Sequence, residues 1–371
     1  MALGFSGSNG GITKDFSNLN FQNLNEDIYF EKNIPLEVSY FVNNICNLKC
    51  KHCYVGYQKN DELLNFSEWT NMFDSLIESG AKTFGNVGKE PLLNWNLTKE
   101  LLQYFKFKRN SDSKIRFGFV TNGLLFNESI IDELNSIQPN YIDISVDGDK
   151  TAHDYIRGEG NYNKLISKLE VLSKTKLASE IFISFTLNNL NKDTLPFVIE
   201  TINSLGINNF LISPYVTLNK NDELYLSDTD IADLVQSLLD NKLIDFNKFR
   251  NLNLYIKNDF TTTSPIMSEL KKKNIINEDK MLIDDYGVIF NKYHFDTNTI
   301  YLNYLPYDNT FTQAIRISHD GYISNCLDMF YENYQERTIG NIRNQDIREI
   351  LSHVKQKNEV KELIYVCLVL K

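Results

Sequence analysis

A chain of 371 residues, 42% of them hydrophobic, can bury a large core and is long enough for about two domains. With 48 acidic residues against 38 Lys and Arg, a formal net charge of −10 argues against nucleic-acid binding, which calls for a basic face. Apolar runs of about 18 residues are absent, so no membrane-spanning helix is expected, and the Gly/Ser-rich stretch 1–11 lacks the basic and apolar segments of a signal peptide.

Residues 1–34 are polar, Asn-rich and aperiodic, and read as an N-terminal extension that is partly mobile or packs as a flap. From Leu36 the chain changes character. The run Leu36-Glu37-Val38-Ser39-Tyr40-Phe41-Val42 has the β-branched and aromatic content of a strand. A cysteine-bearing loop follows, and then a helix with Ser67 as N-cap that stops at Gly80. Residues 82–87 form a second strand, leading through Gly88-Lys89-Glu90-Pro91 to a helix over 96–108. Strands over 115–120, 141–146, 181–187 and 210–213 follow, separated by helices over 127–137, 163–174 and 195–205. Strands alternating with helices imply right-handed crossovers and a parallel sheet, either doubly wound or curled into a barrel, and periodicity does not choose between them. The polar turn motifs fall at strand C-terminal ends, where barrel active sites are built. Beyond Pro214 the pattern breaks: a helix capped by Ser227 runs to about residue 241, residues 252–256 read as a strand, and residues 261–298 show no period. Lys271-Lys272-Lys273 reads as a solvated face. Residues 315–326 read as a β-hairpin turning at Asp320-Gly321, with a second turn over 339–342 and a helix over 345–354. The expected domains are the extension 1–34, a core over 35–215, a connecting segment over 216–312 and a C-terminal unit over 313–371.

The chemistry concentrates in Cys46-Asn47-Leu48-Lys49-Cys50-Lys51-His52-Cys53-Tyr54, where the spacing is C-x3-C-x2-C with an aromatic after the last cysteine. Five cysteines, three of them on this loop, make a poor disulfide framework and point to a reducing cytoplasm. Thiolates hold iron–sulfur clusters, and three on one loop can grip three corners of a [4Fe–4S] cube while the fourth iron stays open to a small molecule. A structural zinc site instead takes four protein ligands in a closed tetrahedron. Buried free thiols, or part of a zinc knuckle with its fourth ligand elsewhere, are the bland alternatives. The strand before the loop and the helix after it favour the cluster.

This loop, Tyr54 included, resembles the cluster loop of the radical S-adenosylmethionine (radical SAM) enzymes, and the resemblance spans residues 36–215. It implies an α/β fold: a partial (β/α)6 TIM-like barrel followed by a small α+β C-terminal domain. The family's second motif, Gly-Gly-Glu-Pro, holds the amino group of the cofactor's methionine; Gly88-Lys89-Glu90-Pro91 matches it, with Lys89 in place of a glycine. If that position takes a positive φ, the replacement costs something like 1 kcal/mol. Ser145-Val146-Asp147-Gly148, His153 and Arg157-Gly158 resemble the stretch S-[LIV]-D-G…H-x-x-x-R-G. Ser145 is thereby implied to face the ribose or carboxylate of S-adenosylmethionine, and Arg157 to bind that carboxylate with its planar donor fork. Tyr54 is implied to cover the adenine and Asn122 to line the same pocket. His153 reads more readily as a surface helix residue than as a base, and His52 as a solvated spacer.

The C-terminal unit resembles the SPASM or twitch domains that carry auxiliary clusters, through Gly321-x4-Cys326 and the 339–342 turn. The pattern's other cysteines are missing: none stands in 305–311, and Cys367 has Leu370 where its partner belongs, so a second cluster is not expected. Cys326 is alternatively a plain buried thiol. The chemistry implied is reductive cleavage of S-adenosylmethionine to a 5′-deoxyadenosyl radical that abstracts hydrogen from a substrate. A peptide is the favoured substrate, as for a ribosomal-peptide maturase, and a small molecule oxidised by a dehydrogenase is the alternative. An electron donor such as flavodoxin or ferredoxin is implied, with no nucleic-acid or membrane partner. A metal- or cluster-binding module without turnover is the reading of another class.

Overall fold

The computed structural model describes residues 14–15, 37–53, 55, 62–215, 217, 219–258, 265–276, 281–283, 289–304, 314–324, 335 and 338–350. Tyr54, Cys326, Cys367, residues 305–311, most of the N-terminal extension and the second half of the expected 345–354 helix lie outside them. The chain forms two compact units: one from the described residues within 33–144 and 308–371, the other from those within 145–307 and 3–32.

In the first unit, β1 (Glu37–Tyr40), β2 (Thr83–Asn86), β3 (Arg116–Thr121) and β4 (Tyr141–Ser145) pair in parallel in chain order, with Val38 opposite Phe84, Phe84 opposite Phe117 and Phe119 opposite Ile142. Helices α1 (Phe66–Glu78), α2 (Trp95–Ser111) and α3 (Glu128–Ile137) make the connections. The α1 cap differs from expectation. Asn65, not Ser67, caps the helix: its side chain accepts from the Glu68 amide at 3.0 Å while Glu68 Oε2 accepts from the Asn65 amide at 2.8 Å. That reciprocal box satisfies two end amides at once, which a Ser67 cap would not. An aromatic core of Tyr40, Trp69, Phe73, Phe84, Phe105 and Phe117 fills the space between strands and helices, with ring centroids as close as 4.6 Å for Phe84 and Phe105. Within it the Tyr40 hydroxyl is buried with no partner among the described residues, and burial drives its pKa far above that of an ordinary phenol. Tyr40→Phe removes an orphaned polar group at constant shape, so stability is expected to rise by about 1 kcal/mol, read as a higher urea midpoint at unchanged slope.

The second unit begins with α4 (Lys150–Arg157) and α5 (Asn161–Leu172). Parallel strands β5 (Ile181–Leu187), β6 (Asn209–Pro214) and β7 (Asn253–Asn258) follow, with α6 (Leu195–Ser204) and α7 (Asp228–Leu239) between them. The stretch without a period holds α8 (Pro265–Lys272), β8 (Leu282–Ile283) and β9 (Ile289–Phe295). Strand β10 (Asn298–Tyr304) lies parallel to β7, with Tyr301 opposite Tyr255, while β8 and β9 extend the sheet antiparallel. Lys271 and Lys272 are exposed, as their charge demands.

Three short strands complete the first unit. β11 (Ala314–Ile317) lies parallel to β1, with Ile315 opposite Val38, and β12 (Tyr322–Ser324) returns antiparallel through the Asp320-Gly321 turn, where Gly321 takes φ +90°. The expected turn over 339–342 is instead a strand, β13 (Gly340–Asn341), paired with β12. All six strands foreseen for the core are present in this mixed α/β fold, four in the first unit and β5 and β6 in the second. No helix among the described residues is long and apolar enough to cross a membrane.

Candidate metal and cofactor site

The cysteine loop leaves β1 and is held at its base by Asn43, which is fully buried. Asn43 Oδ1 accepts from the Ile45 amide at 3.1 Å, and its Nδ2 donates to the Glu90 carbonyl at 3.0 Å. Backbone bonds reinforce the seam: Lys89 N donates to Asn43 O at 3.2 Å and Glu90 N to Ile45 O at 3.0 Å. The loops after β1 and β2 are therefore zipped together immediately before the first cysteine. Sequence reasoning missed Asn43; the polar pair Asn43-Asn44 wedged between an apolar strand and Cys46 was the available signal.

Cys46, Cys50 and Cys53 form no disulfide; the first two are partly buried and the third exposed. Cys46 Sγ accepts from the Leu48 amide at 3.4 Å and from Asn122 Nδ2 at 3.8 Å. Burial raises the Cys46 thiol pKa, the Leu48 amide lowers it, and the charges of Glu90 and Cys53 raise it against Lys89, leaving a net rise. Burial pushes the Lys89 pKa down, while the charges of Cys53, Cys46 and Cys50 pull it up, with burial the larger. Among the described residues no group of three or more His, Cys, Asp and Glu side chains could hold a single metal ion. A cubane, in which each thiolate binds a different iron, suits this donor set, whereas a zinc tetrahedron would need its ligands closed on one point. His52 is buried and not the solvated spacer expected, because the turn at Lys51-His52 folds it inward.

Gly88 and Lys89 both lie outside the positive-φ region, so Lys89 carries no backbone strain. Gly88 is needed for a different reason: an added Cβ would sit 2.3 Å from the Phe41 Cα. Backbone cannot yield as a flexible side chain can, so Gly88→Ala is expected to cost about 1–3 kcal/mol and to weaken metal retention by prying the two loops apart. Thermal unfolding together with iron retained on a desalting column checks both.

Glu90 is 1% exposed and fully engaged. Its Oε1 accepts from Thr121 Oγ1 at 2.7 Å and the Leu92 amide at 3.1 Å, and its Oε2 from the Asn122 amide at 2.9 Å. Asn122 then reaches across to Asn47 Oδ1 at 2.8 Å and to Cys46. The ends of β1, β2 and β3 are thus connected by one polar chain that terminates on a cysteine sulfur.

The remaining expected residues belong to the second unit. Ser145, the last residue of β4 and the first of the second unit's stretch 145–307, is buried. Arg157 closes α4, an eight-residue helix missed in the sequence because its buried residues mix Ala152 and Ile156 with His153, Asp154 and Arg157. Arg157 Nε donates to Asp147 Oδ2 at 2.5 Å, and Asp147 Oδ1 accepts from the Thr186 amide at 2.7 Å. His153 is not a surface residue: it is 1% exposed, and its Nδ1 accepts from the Asp147 amide at 3.2 Å. Because Nδ1 is the acceptor, the proton of the neutral ring sits on Nε2.

Residues 40–203 match the family model described as the Radical SAM superfamily. The chain is 27% identical over 219 residues to the radical SAM cyclopropyl synthase TigE of Paramaledivibacter caminithermalis, which covers 54% of this chain and 44% of that protein. It is 24% identical over 206 residues to the sporulation killing factor maturation protein SkfB of Bacillus subtilis, covering 55% and 48%. The match thus spans about half the length of these relatives. The fold is similar to that of Streptococcus suis SuiB bound to S-adenosylmethionine, with a TM-score of 0.65 at 15% identity over 91% of this chain and 70% of that one. The cysteine loop and the Glu90 motif, with β2, β3 and β4, all fall inside the residues that match the Radical SAM superfamily model.

Proposed function

We propose that this chain is a radical SAM enzyme that holds one [4Fe–4S] cluster on Cys46, Cys50 and Cys53, binds S-adenosylmethionine beside it, and abstracts hydrogen from a peptide. The observation that carries this reading is a loop with three cysteines, none of them in a disulfide, whose base is bonded to the buried Glu90 segment. A bound cluster would supply the electron that cleaves the sulfonium to methionine and a 5′-deoxyadenosyl radical. The chain's own part is ligation, orientation and exclusion of water. Gly88 and Glu90 are assigned to the methionine amino group, Asn122 and Tyr54 to the adenine side, and Ser145 and Arg157 to the ribose and carboxylate. Flavodoxin or ferredoxin is the proposed reductant. A peptide substrate is supported by the maturation named for SkfB and by the precursor peptide SuiA with which SuiB has been solved.

Anaerobic reconstitution tests the reading. About four irons per chain are expected, since a cube of this type holds that many. Adding S-adenosylmethionine and dithionite should release 5′-deoxyadenosine, and Cys46→Ala, Cys50→Ala or Cys53→Ala should each abolish it. Full iron loading without any 5′-deoxyadenosine would sink the enzymatic reading and leave a binding module. A mass change in a short peptide encoded beside the gene supports the peptide substrate; turnover stimulated by a small molecule alone replaces it.

A further inference from the structure

We propose that Thr186, Ser213, Lys257 and Asn303, near the C-terminal ends of four adjacent parallel strands of the second unit, form a site for a carboxylate of the substrate. The proposal deepens the reading above and rests on it, since it names the substrate's chemistry. Register places the four residues side by side. Thr186 on β5 lies opposite Ser213 on β6, and Lys257 on β7 lies opposite Asn303 on β10. Strands β6 and β7 pair with Ile212 opposite Ile256, so Ser213 and Lys257 are the next neighbours along. Successive side chains of a strand point to opposite faces, and neighbouring strands lie about 4.8 Å apart, so the four share one face and one level.

The two faces of the sheet differ at this end. One residue back, on the other face, Phe185, Ile212, Ile256 and Leu302 form a row that is apolar throughout and at most 3% exposed. Two residues back on the same face stand Leu211, Tyr255 and Tyr301, the last two rings stacked at 4.7 Å. Beyond them the row turns wholly polar, yet Thr186, Ser213, Lys257 and Asn303 are all buried. Ser213 Oγ has no hydrogen-bond partner among the described residues, a cost that alanine at the same place would avoid. Ligand sites of barrels and open α/β sheets lie at the C-terminal ends of such strands. The donors select the ligand. Lysine brings N–H donors and no acceptor, and serine, threonine and asparagine each bring at least one donor. A carboxylate only accepts, so all four residues serve it, and a single lysine matches its single charge where a phosphate dianion calls for more. On a peptide that carboxylate is an acidic side chain or the C-terminus.

The test is calorimetric titration of the full-length, anaerobically reconstituted protein, with S-adenosylmethionine present. The probes are acetyl-Gly-Gly-Gly as the free acid, acetyl-Gly-Glu-Gly-amide, and the neutral acetyl-Gly-Gln-Gly-amide. One of the two acids is expected to bind about tenfold tighter than the neutral probe, and which one it is separates the C-terminus from a side chain. Lys257→Gln is expected to abolish that preference. Ser213→Ala is expected to reduce it about threefold while unfolding at no lower temperature than wild type. Equal binding of all three probes overturns the proposal, as does a preference that survives both substitutions. So does an acid that displaces S-adenosylmethionine, since the row would then serve the cofactor's own carboxylate. Should Lys257→Gln fail to fold, Ser213→Ala decides alone, and an unchanged preference overturns the site. Each of these results leaves the enzymatic reading intact in a protein that releases 5′-deoxyadenosine. A protein that releases none overturns that reading, whichever probe binds.

Discussion

Replacing Asp147 by alanine is expected to destabilise the second unit by about 3–5 kcal/mol, the usual consequence of removing one member of a buried ion pair. The Asp147 side chain is completely buried and that of Arg157 is 9% exposed, so solvent does little to screen the pair. The loss does not stop at the guanidinium. Asp147 Oδ1 also accepts from the Thr186 amide on β5, and Asn191 Nδ2 donates to the Asp147 carbonyl at 3.3 Å and to the Thr186 carbonyl at 2.9 Å. One carboxylate therefore ties α4 to β5, with Asn191 closing the network beside it. Asp147→Asn is the milder change: its carbonyl can still serve Thr186, but its amide then meets the Arg157 Nε–H, donor against donor. The pair itself need not be net stabilising, because an apolar pair of similar volume often does as well. Accordingly Asp147→Leu with Arg157→Met should recover much of what Asp147→Ala loses. Urea unfolding of the single and double variants gives the coupling directly. A single Asp147→Ala variant within about 1 kcal/mol of wild type would show that the network is not what holds α4 in place.

The legibility of this chain follows the strength of its periodic signals. Strands β1 to β6 and the helices between them were readable because apolar runs of strand length alternate with amphipathic segments, and Asn127 caps α3 as its position before an apolar repeat suggests. Helix α4 was not, because five of its eight residues are buried and three of those are His153, Asp154 and Arg157. Its apolar side, Ala152 and Ile156, is a single repeat in eight residues, too short to read as a helix. Strand β9 failed for the converse reason. It exposes Lys292 and His294 while burying Phe290 and Asn291, so its alternation is too irregular to distinguish from a loop. At the site, the cysteines stood out by their spacing and Glu90 by the resemblance of its segment to Gly-Gly-Glu-Pro, whereas Asn43, Asn47 and Thr121 act through hydrogen bonds between loops far apart in sequence. Such bonds leave no local pattern. Asp147 was visible in its motif, but its partners on α4 and β5 emerged only from the fold.

Glu90→Gln is expected to act on stability and on the cluster together. Three donors converge on the carboxylate: the Thr121 hydroxyl and Leu92 amide on one oxygen, the Asn122 amide on the other. A carboxylate meets them as an acceptor on both sides, but glutamine must turn an NH2 toward one of the two. Whichever way the amide is set, at least one buried N–H or O–H faces another donor, at a cost of about 1–3 kcal/mol. The less harmful orientation keeps the carbonyl toward Thr121 and Leu92, which sets the new NH2 against the Asn122 amide and displaces Asn122. That residue is the one that reaches Asn47 and the Cys46 sulfur. The disturbance therefore travels from a carboxylate through one asparagine to the Cys46 sulfur. Two readouts separate the consequences. Denaturant unfolding of the iron-free protein reports the buried mismatch, and the rate at which reconstituted protein loses iron in air reports the shift at Cys46. Asn122→Ala should reproduce the faster iron loss while leaving the Glu90 acceptors served, because the Asn122 backbone amide survives the substitution. If Glu90→Gln lowers stability yet keeps wild-type iron retention, while Asn122→Ala does not, the chain from Glu90 to Cys46 is not mechanically coupled, and Glu90 acts only as the acceptor that closes the ends of β2 and β3.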